Sequence, residues 1–253
     1  MKRGSSLRPS STQSLLHPNF KYWKRNSNFK KLDVCSLTQT DFRAHAFVFL
    51  YSYRMKLKDG TSYEDQIFYD LAFAQDCINR STFDACEFVN CDFRESEFRE
   101  CTFTECIFKD SDLGLVKLTQ TRFTETKFER CKIIGVNWTS LDWRGVTLSA
   151  PVEFHSSDIS FSVFSALRLP GLKVRNCKVH DADFALCDLT GAEFVESDLT
   201  NTRFSSTKLN DCDFREASNF IINPTENFVV GANFTFPEVL NLLSYFGIKI
   251  DNI

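Results

Sequence analysis

Residues 83–108 read Phe83-Asp-Ala-Cys-Glu-Phe88-Val-Asn-Cys-Asp-Phe93-Arg-Glu-Ser-Glu-Phe98-Arg-Glu-Cys-Thr-Phe103-Thr-Glu-Cys-Ile-Phe108, with a phenylalanine at every fifth position. Worked outward, the spacing extends back to Phe68, Phe73 and Ile78 and forward through Leu113, Leu118, Phe123, Phe128, Ile133, Trp138, Trp143 and Leu148. It resumes as Phe154, Ile159, Phe164, Leu169, Val174, Val179, Phe184, Leu189, Phe194, Leu199, Phe204, Leu209 and Phe214. A single extra residue near Pro151 accounts for the shift between the two runs. No polar residue interrupts either run, so the repeat decides the architecture. Two residues before each member lies a second series of mostly small residues, such as Cys86, Cys91, Ser96, Cys101, Cys106, Ser111, Thr121, Thr126 and Cys131, then Cys177, Ala182, Cys187, Ala192, Ser197, Thr202, Thr207 and Cys212.

A period of five matches neither the 3.6-residue turn of an α-helix nor the alternation of a flat strand. It fits a chain that turns a corner every five residues and points the large residue inward each time. Four such corners close a square coil, and successive coils stack as parallel strands. The fold predicted is therefore all-β: a right-handed quadrilateral parallel β-helix with a short C-terminal capping helix.

The 253 residues are 43% apolar, with 27 Phe, 10 Cys and a net charge of −3. No uninterrupted apolar run exceeds about six residues, against the roughly 18 a membrane span needs. Residues 1–54 carry ten Lys or Arg against Asp33 and Asp41, so a basic extension precedes an acidic body. Met55 is a candidate natural start, residues 55–216 form the repeat body, and 217–253 form a cap and dimerisation segment.

Eight cysteines fall in the small inward series, where a free thiol packs as a small hydrophobe. Disulfides or a zinc site are the alternatives, and thiols in this number point to a reducing, cytoplasmic setting. His17, His45, His155 and His180 have no triad or metal spacing, and Gly-rich phosphate loops are absent. No enzyme activity, cofactor or metal is expected. Trp138 and Trp143 are expected in the core.

The unit small-x-[Leu/Phe]-x-x, as in Cys91-Asp-Phe-Arg-Glu and Cys187-Asp-Leu-Thr-Gly, resembles the pentapeptide-repeat family. The tail, from Asn219-Phe-Ile-Ile-Asn-Pro-Thr-Glu226 through Phe236-Pro-Glu-Val-Leu-Asn-Leu-Leu-Ser-Tyr-Phe-Gly-Ile248, is similar to the ends of its gyrase-protecting McbG, Qnr and MfpA group. Thr235 to Glu238 reads as a capping box with Pro237 in the first turn. Ile248 and Ile250 alternate like a last strand. The resemblance implies a homodimer through the C-terminus, with Leu240, Leu243, Phe246, Ile248 and Ile250 at the interface.

It also implies a rod that mimics DNA, binds DNA gyrase or topoisomerase IV, and protects it from a quinolone- or microcin-type poison without binding nucleic acid or membrane itself. The expected gyrase-facing acids are Asp181, Asp183, Asp188, Glu193, Glu196, Asp198, Asp211, Asp213 and Glu216. The alternative is a protein-interaction scaffold with another target. Charge is banded: residues 84–112 and 181–216 each carry a net −6, and 113–180 carries +5.

Overall fold

The structure, a computed structural model, describes residues 56–144 and 151–248. Strands of two to four residues pair only in parallel, and in the regular coils every partner lies twenty residues on: Tyr63 with Phe83, Phe68 with Phe88, Ile78 with Phe98, and Phe88 with Phe108. The predicted quadrilateral β-helix is the architecture of this chain. The inward residues form four stacked rows. Row 1 begins Tyr63, Phe83, Phe103, Phe123; row 2 runs from Phe68 to Phe234; row 3 begins Phe73, Phe93, Leu113; row 4 begins Ile78, Phe98, Leu118, Trp138. Row 2 has nine rungs, giving about eight coils, or roughly 40 Å at ~4.8 Å per coil.

Stacking within a row is ring on ring. Centroids of Phe83 and Phe103 are 4.7 Å apart and those of Phe88 and Phe108 are 4.6 Å apart, with rings nearly parallel. Neighbouring rows meet edge to face, as Phe83 and Phe88 do at 5.5 Å. Both arrangements suit the ring quadrupole. The residue two after each centre turns the corner in the left-handed region: Asp65, Glu105, Glu125, Asp181 and Glu216 have φ between 50° and 60°. Each such non-glycine corner costs roughly 1–2 kcal/mol. Backbone bonds between coils, such as Phe93 N–H to Asp112 O at 2.7 Å, and ring burial offset it.

The small inward series satisfies itself. Cys91 Sγ donates to Phe68 O, and Ser111 Oγ donates to Phe88 O while accepting from Cys91 N–H at 2.9 Å. The next rungs repeat this with Ser157 accepting from Cys131 N–H and Ser197 accepting from Cys177 N–H. Burial pushes the Cys91 and Cys187 thiols up to about 11 and those of Cys131, Cys177 and Cys212 up to about 12. These thiols stay protonated at neutral pH, the wrong form for a nucleophile or zinc ligand. All nine described cysteines are free, and Cys77 alone among them is exposed.

Five expectations change. The shift near Pro151 is six residues, not one: Phe128 pairs with Phe154 and Lys132 with Asp158, both twenty-six apart. A pentapeptide plus one residue hides behind a five-residue period. Leu148, in that insertion, lies outside the described residues, as do Met55, residues 1–54 and Ile250. Trp138 is fully buried against Phe164, centroids 5.4 Å apart, whereas Trp143 is half-buried and donates its indole N–H to Trp138 O at 2.9 Å.

The coil also continues past residue 216, because Asp213–Phe214 pairs with Asn233–Phe234. Finally, the capping box does not form. The cap is a 3-10 helix, Glu238–Phe246, with Pro237 at its N-cap and no side-chain cap bond. The Thr235 hydroxyl instead accepts the Glu216 N–H at 2.9 Å, tying the segment to the last coil. Gly247, at φ 68°, ends the helix in the left-handed conformation, and Ile248 is in no strand. No described helix is long and apolar enough to cross a membrane.

Phe128 stacks on Phe108 and Phe154 beside the insertion and is fully buried. Phe128→Ala should cost about 3–5 kcal/mol in chemical denaturation, the cost of a cavity in a packed stack; an unchanged midpoint would refute the stacked-row account. Alkylation of the native protein at neutral pH, read by peptide mass mapping, should label Cys77 and spare the eight buried described cysteines.

Candidate functional site

No group of His, Cys, Asp and Glu among the described residues could hold a metal ion. His155 contacts Glu153 at 3.1 Å and His180 contacts Asp198 at 2.7 Å, both as part of the outer ladders. What distinguishes the surface is where charge sits within each five-residue unit.

The residue just before each inward centre lies midway along a face, half-shielded, and its carboxylate folds back. Asp213 accepts two bonds from Arg215 Nε and one from Nη2 at 2.6 Å, and that guanidinium holds its carboxyl below the usual range. At Asp188, burial opposes ionisation, but bonds from Thr190 and the nearby Lys208 outweigh it and its pKa falls. Asp198 gathers Thr200, His180 and Asn219, bracing three coils, and is likewise held ionised against burial. Asp183 caps Ala185 N–H and pairs with Arg203, and Glu193 pairs with Arg175. Five of the nine predicted acids are thus engaged within the rod, four of them by a lysine or arginine.

The other four, Asp181, Glu196, Asp211 and Glu216, sit exposed at corners with left-handed φ. They do not all share an edge. Naming each edge after the row preceding it, Asp211 lies on edge 1, Glu196 and Glu216 on edge 2, and Asp181 on edge 3. Only residues one coil apart stack; neighbours in sequence go to adjacent faces, so a charge summed along sequence describes a ring.

Counted along edges, a different acidic row emerges in the N-terminal coils. Edge 1 carries the acids Asp65, Glu105 and Glu125 at three of its four N-terminal corners, Ala85 standing between the first two, with the acids Glu64 and Asp84 beside them. All five are exposed, and none has an ion-pair partner among the described residues. On the other N-terminal edges Asp110 is ion-paired with Arg130 and Glu100 with Arg80, and Asp70 and Glu95 accept hydrogen bonds from the side-chain amides of Asn90 and Gln75. This row escaped sequence reading because its corner members are separated by twenty or forty residues.

The C-terminal end is apolar. Phe228, Val230, Phe236, Tyr245, Phe246 and Ile248 are exposed, Val230 at 79%. Leu240 and Leu243 are half-buried, and no residue of the cap helix is fully buried. A groove of about 380 Å³ separates the helix from the last coil, between Phe220 and Ile222 on one side and Leu242 and Tyr245 on the other. Phe228, Val230 and Phe236 were not anticipated: they precede the helix, in the coil the repeat pattern did not reach.

A family model described as a pentapeptide repeat region matches residues 81–151, and a second, pentapeptide repeats in eight copies, matches 177–216. No curated protein matches the sequence. Among solved structures, a trypsin-treated variant of QnrB1, a plasmid-mediated fluoroquinolone resistance protein, is similar at 14% identity over 78% of this chain and 100% of that one, TM-score 0.46. Full-length QnrB1 is 18% identical over 74% and 100%, TM-score 0.44. HetL, a pentapeptide-repeat protein involved in heterocyst differentiation regulation from Nostoc sp. strain PCC 7120, is 16% identical over 78% and 92%, TM-score 0.33. With its repeat units matched on both sides of the insertion and folded into twenty-residue coils, the chain belongs to the pentapeptide-repeat proteins.

Proposed function

We propose that the chain is a DNA-mimicking protein that occupies the DNA-binding groove of DNA gyrase or topoisomerase IV and protects the enzyme from a quinolone- or microcin-type poison. The observation that carries this reading is the unpaired acidic row on edge 1, which fills three of four corners set one coil pitch apart. Residues 56–112 hold fourteen acids and six bases, a net −8. They occupy just under three coils, roughly 14 Å at ~4.8 Å each. Duplex DNA carries one negative charge per roughly 1.7 Å of axis, or about eight in that length. A cationic groove built for phosphates meets the same linear charge density on this rod.

The C-terminal end supports a homodimer. A cap helix with half-buried Leu240 and Leu243 and exposed Phe246 has an apolar stripe that one copy does not cover. A second copy joined there through Leu240, Leu243, Phe246, Ile248 and Ile250, with Phe236 alongside, doubles the rod to roughly 80 Å and places acidic coils at both outer ends.

Purified protein added to gyrase should restore supercoiling in the presence of a fluoroquinolone, and Asp84→Lys/Glu105→Lys/Glu125→Lys should abolish that rescue. Undiminished rescue by the triple variant at low salt would contradict electrostatic mimicry. In sedimentation velocity the wild type should run as a dimer and Leu243→Arg/Phe246→Arg as a monomer with unchanged circular dichroism; a monomeric wild type would contradict the interface.

A further inference from the structure

The face carrying row 2 lies between edge 1 and edge 2, and its outward residues stand just before and just after each inward centre. Along most of its length these are charged and laced together, as Lys173 is with Glu153, Arg175 with Glu193 and Arg215 with Asp213. In the first three coils the pattern changes. The outward pairs there are Ile67 and Tyr69, Glu87 and Val89, and Ile107 and Lys109, in register from coil to coil. Ile67 is 42% exposed and Tyr69 62%, while Val89 and Ile107 are half-buried. Glu87 and Lys109 pair with each other at 3.0 Å, so the patch keeps no net charge of its own. On the other three faces of the same coils, no outward strand position holds Val, Leu, Ile or an aromatic residue.

This patch borders the acidic row. Asp65 and Glu105 stand beside it at edge 1, with Glu64 and Asp84 just beyond, all four exposed and without an ion pair among the described residues. On the far border, edge 2, Asp70 accepts from Asn90 and Asp110 pairs with Arg130. Lys127 ends the patch one coil beyond Ile107, with exposed Glu125 at the adjoining corner. Within the first three coils the strip from Glu64 and Asp84 across to Tyr69 and Val89 therefore holds four unpaired carboxylates and no unpaired base among the described residues. A groove that binds DNA meets phosphate oxygens and, between them, the apolar edges of sugars and bases, which it contacts with apolar side chains. The strip sets carboxylates and an apolar patch side by side in the same way.

We propose that Ile67, Tyr69, Val89 and Ile107 form an apolar contact that seats against apolar side chains lining the cationic DNA-binding groove of the same topoisomerase, beside the basic residues that take the edge 1 acids. This rests on the gyrase reading above. Charge complementarity selects that occupant: four unpaired carboxylates along the border of the patch attract a basic-rimmed surface and repel both an acid-rimmed one and the same face of a second copy. Mimicry of the duplex then has two parts, carboxylates in place of phosphates and the patch in place of sugar and base edges. Tyr69, the most exposed of the four, is the anchor.

The test is gyrase binding measured across a salt series for the full chain and for Ile67→Thr/Tyr69→Thr. Threonine suits a strand and already stands at equivalent outward positions, Thr82 and Thr102, so the variant should melt no lower than wild type. Its affinity should fall about tenfold or more at every salt concentration. The slope of affinity against salt should stay unchanged, because an apolar contact releases no counterions. Asp84→Lys/Glu105→Lys/Glu125→Lys should instead flatten that slope. Wild-type affinity in the threonine variant, a flattened slope in it, or a lowered melting temperature accompanying its loss of binding would each overturn the proposal while leaving the gyrase reading intact. So would a threonine variant that sediments as a smaller species than wild type, which would make a second copy the occupant. Failure of the wild type to bind gyrase at all would sink that reading and this one with it.

Discussion

Each rung of the rod depends on a large side chain meeting its counterpart one coil away inside a shaft with room for only four such columns. Phe83 against Phe103 and Phe88 against Phe108 set a spacing that backbone, corners and outer side chains must follow. The left-handed corners are conformationally costly singly, and they persist because ring stacking and the parallel backbone ladder act at every rung. The small inward residues follow from the same crowding: Cys, Ser, Thr and Ala are what fits beside a phenylalanine, and the polar ones satisfy themselves on carbonyls of the adjacent coil.

That constraint also sorts charge. A carboxylate midway along a face is close enough to its own turn and to the next coil to be captured, as Asp198 and Asp213 are. A carboxylate at a corner projects away and keeps its field unless the corner one coil away holds an arginine, as Arg130 stands by Asp110 and Arg80 by Glu100. The anionic character presented to a partner therefore comes from corners aligned on one edge, and edge 1 of the N-terminal coils holds three such acids, Asp65, Glu105 and Glu125. The opposite edge carries exposed Leu115 and Phe161 at its corners, so the rod has two unlike sides although net charge and composition are ordinary.

The recurrence of Phe, Leu and Ile by fives carried the architecture and most of the core, because burial at every fifth residue leaves no other regular solution. It could not carry the insertion: six residues equal one repeat plus one, so only the pairing of Phe128 with Phe154 separates a loop from a slipped register. It could not carry the acidic row either, since Asp65, Glu105 and Glu125 come onto one edge only through the twenty-residue coil. The cap was legible as a helix, yet not in how it begins, because the Thr235 hydroxyl has a better partner in the Glu216 N–H than in its own helix. Leu115 and Phe161 read in the sequence as ordinary residues between repeats, and only their corner backbone and exposure set them apart.

The alignment of corners one coil apart is most directly tested by nitroxide labels at Glu105 and Glu125 in a background lacking reactive thiols, compared with labels at Glu105 and Asp110. The account predicts strong spin exchange for the first pair, stacked on one edge about 5 Å apart at the backbone, and weak coupling for the second, on adjacent edges. Equal coupling in the two pairs, or exchange confined to the pair five residues apart, would contradict it.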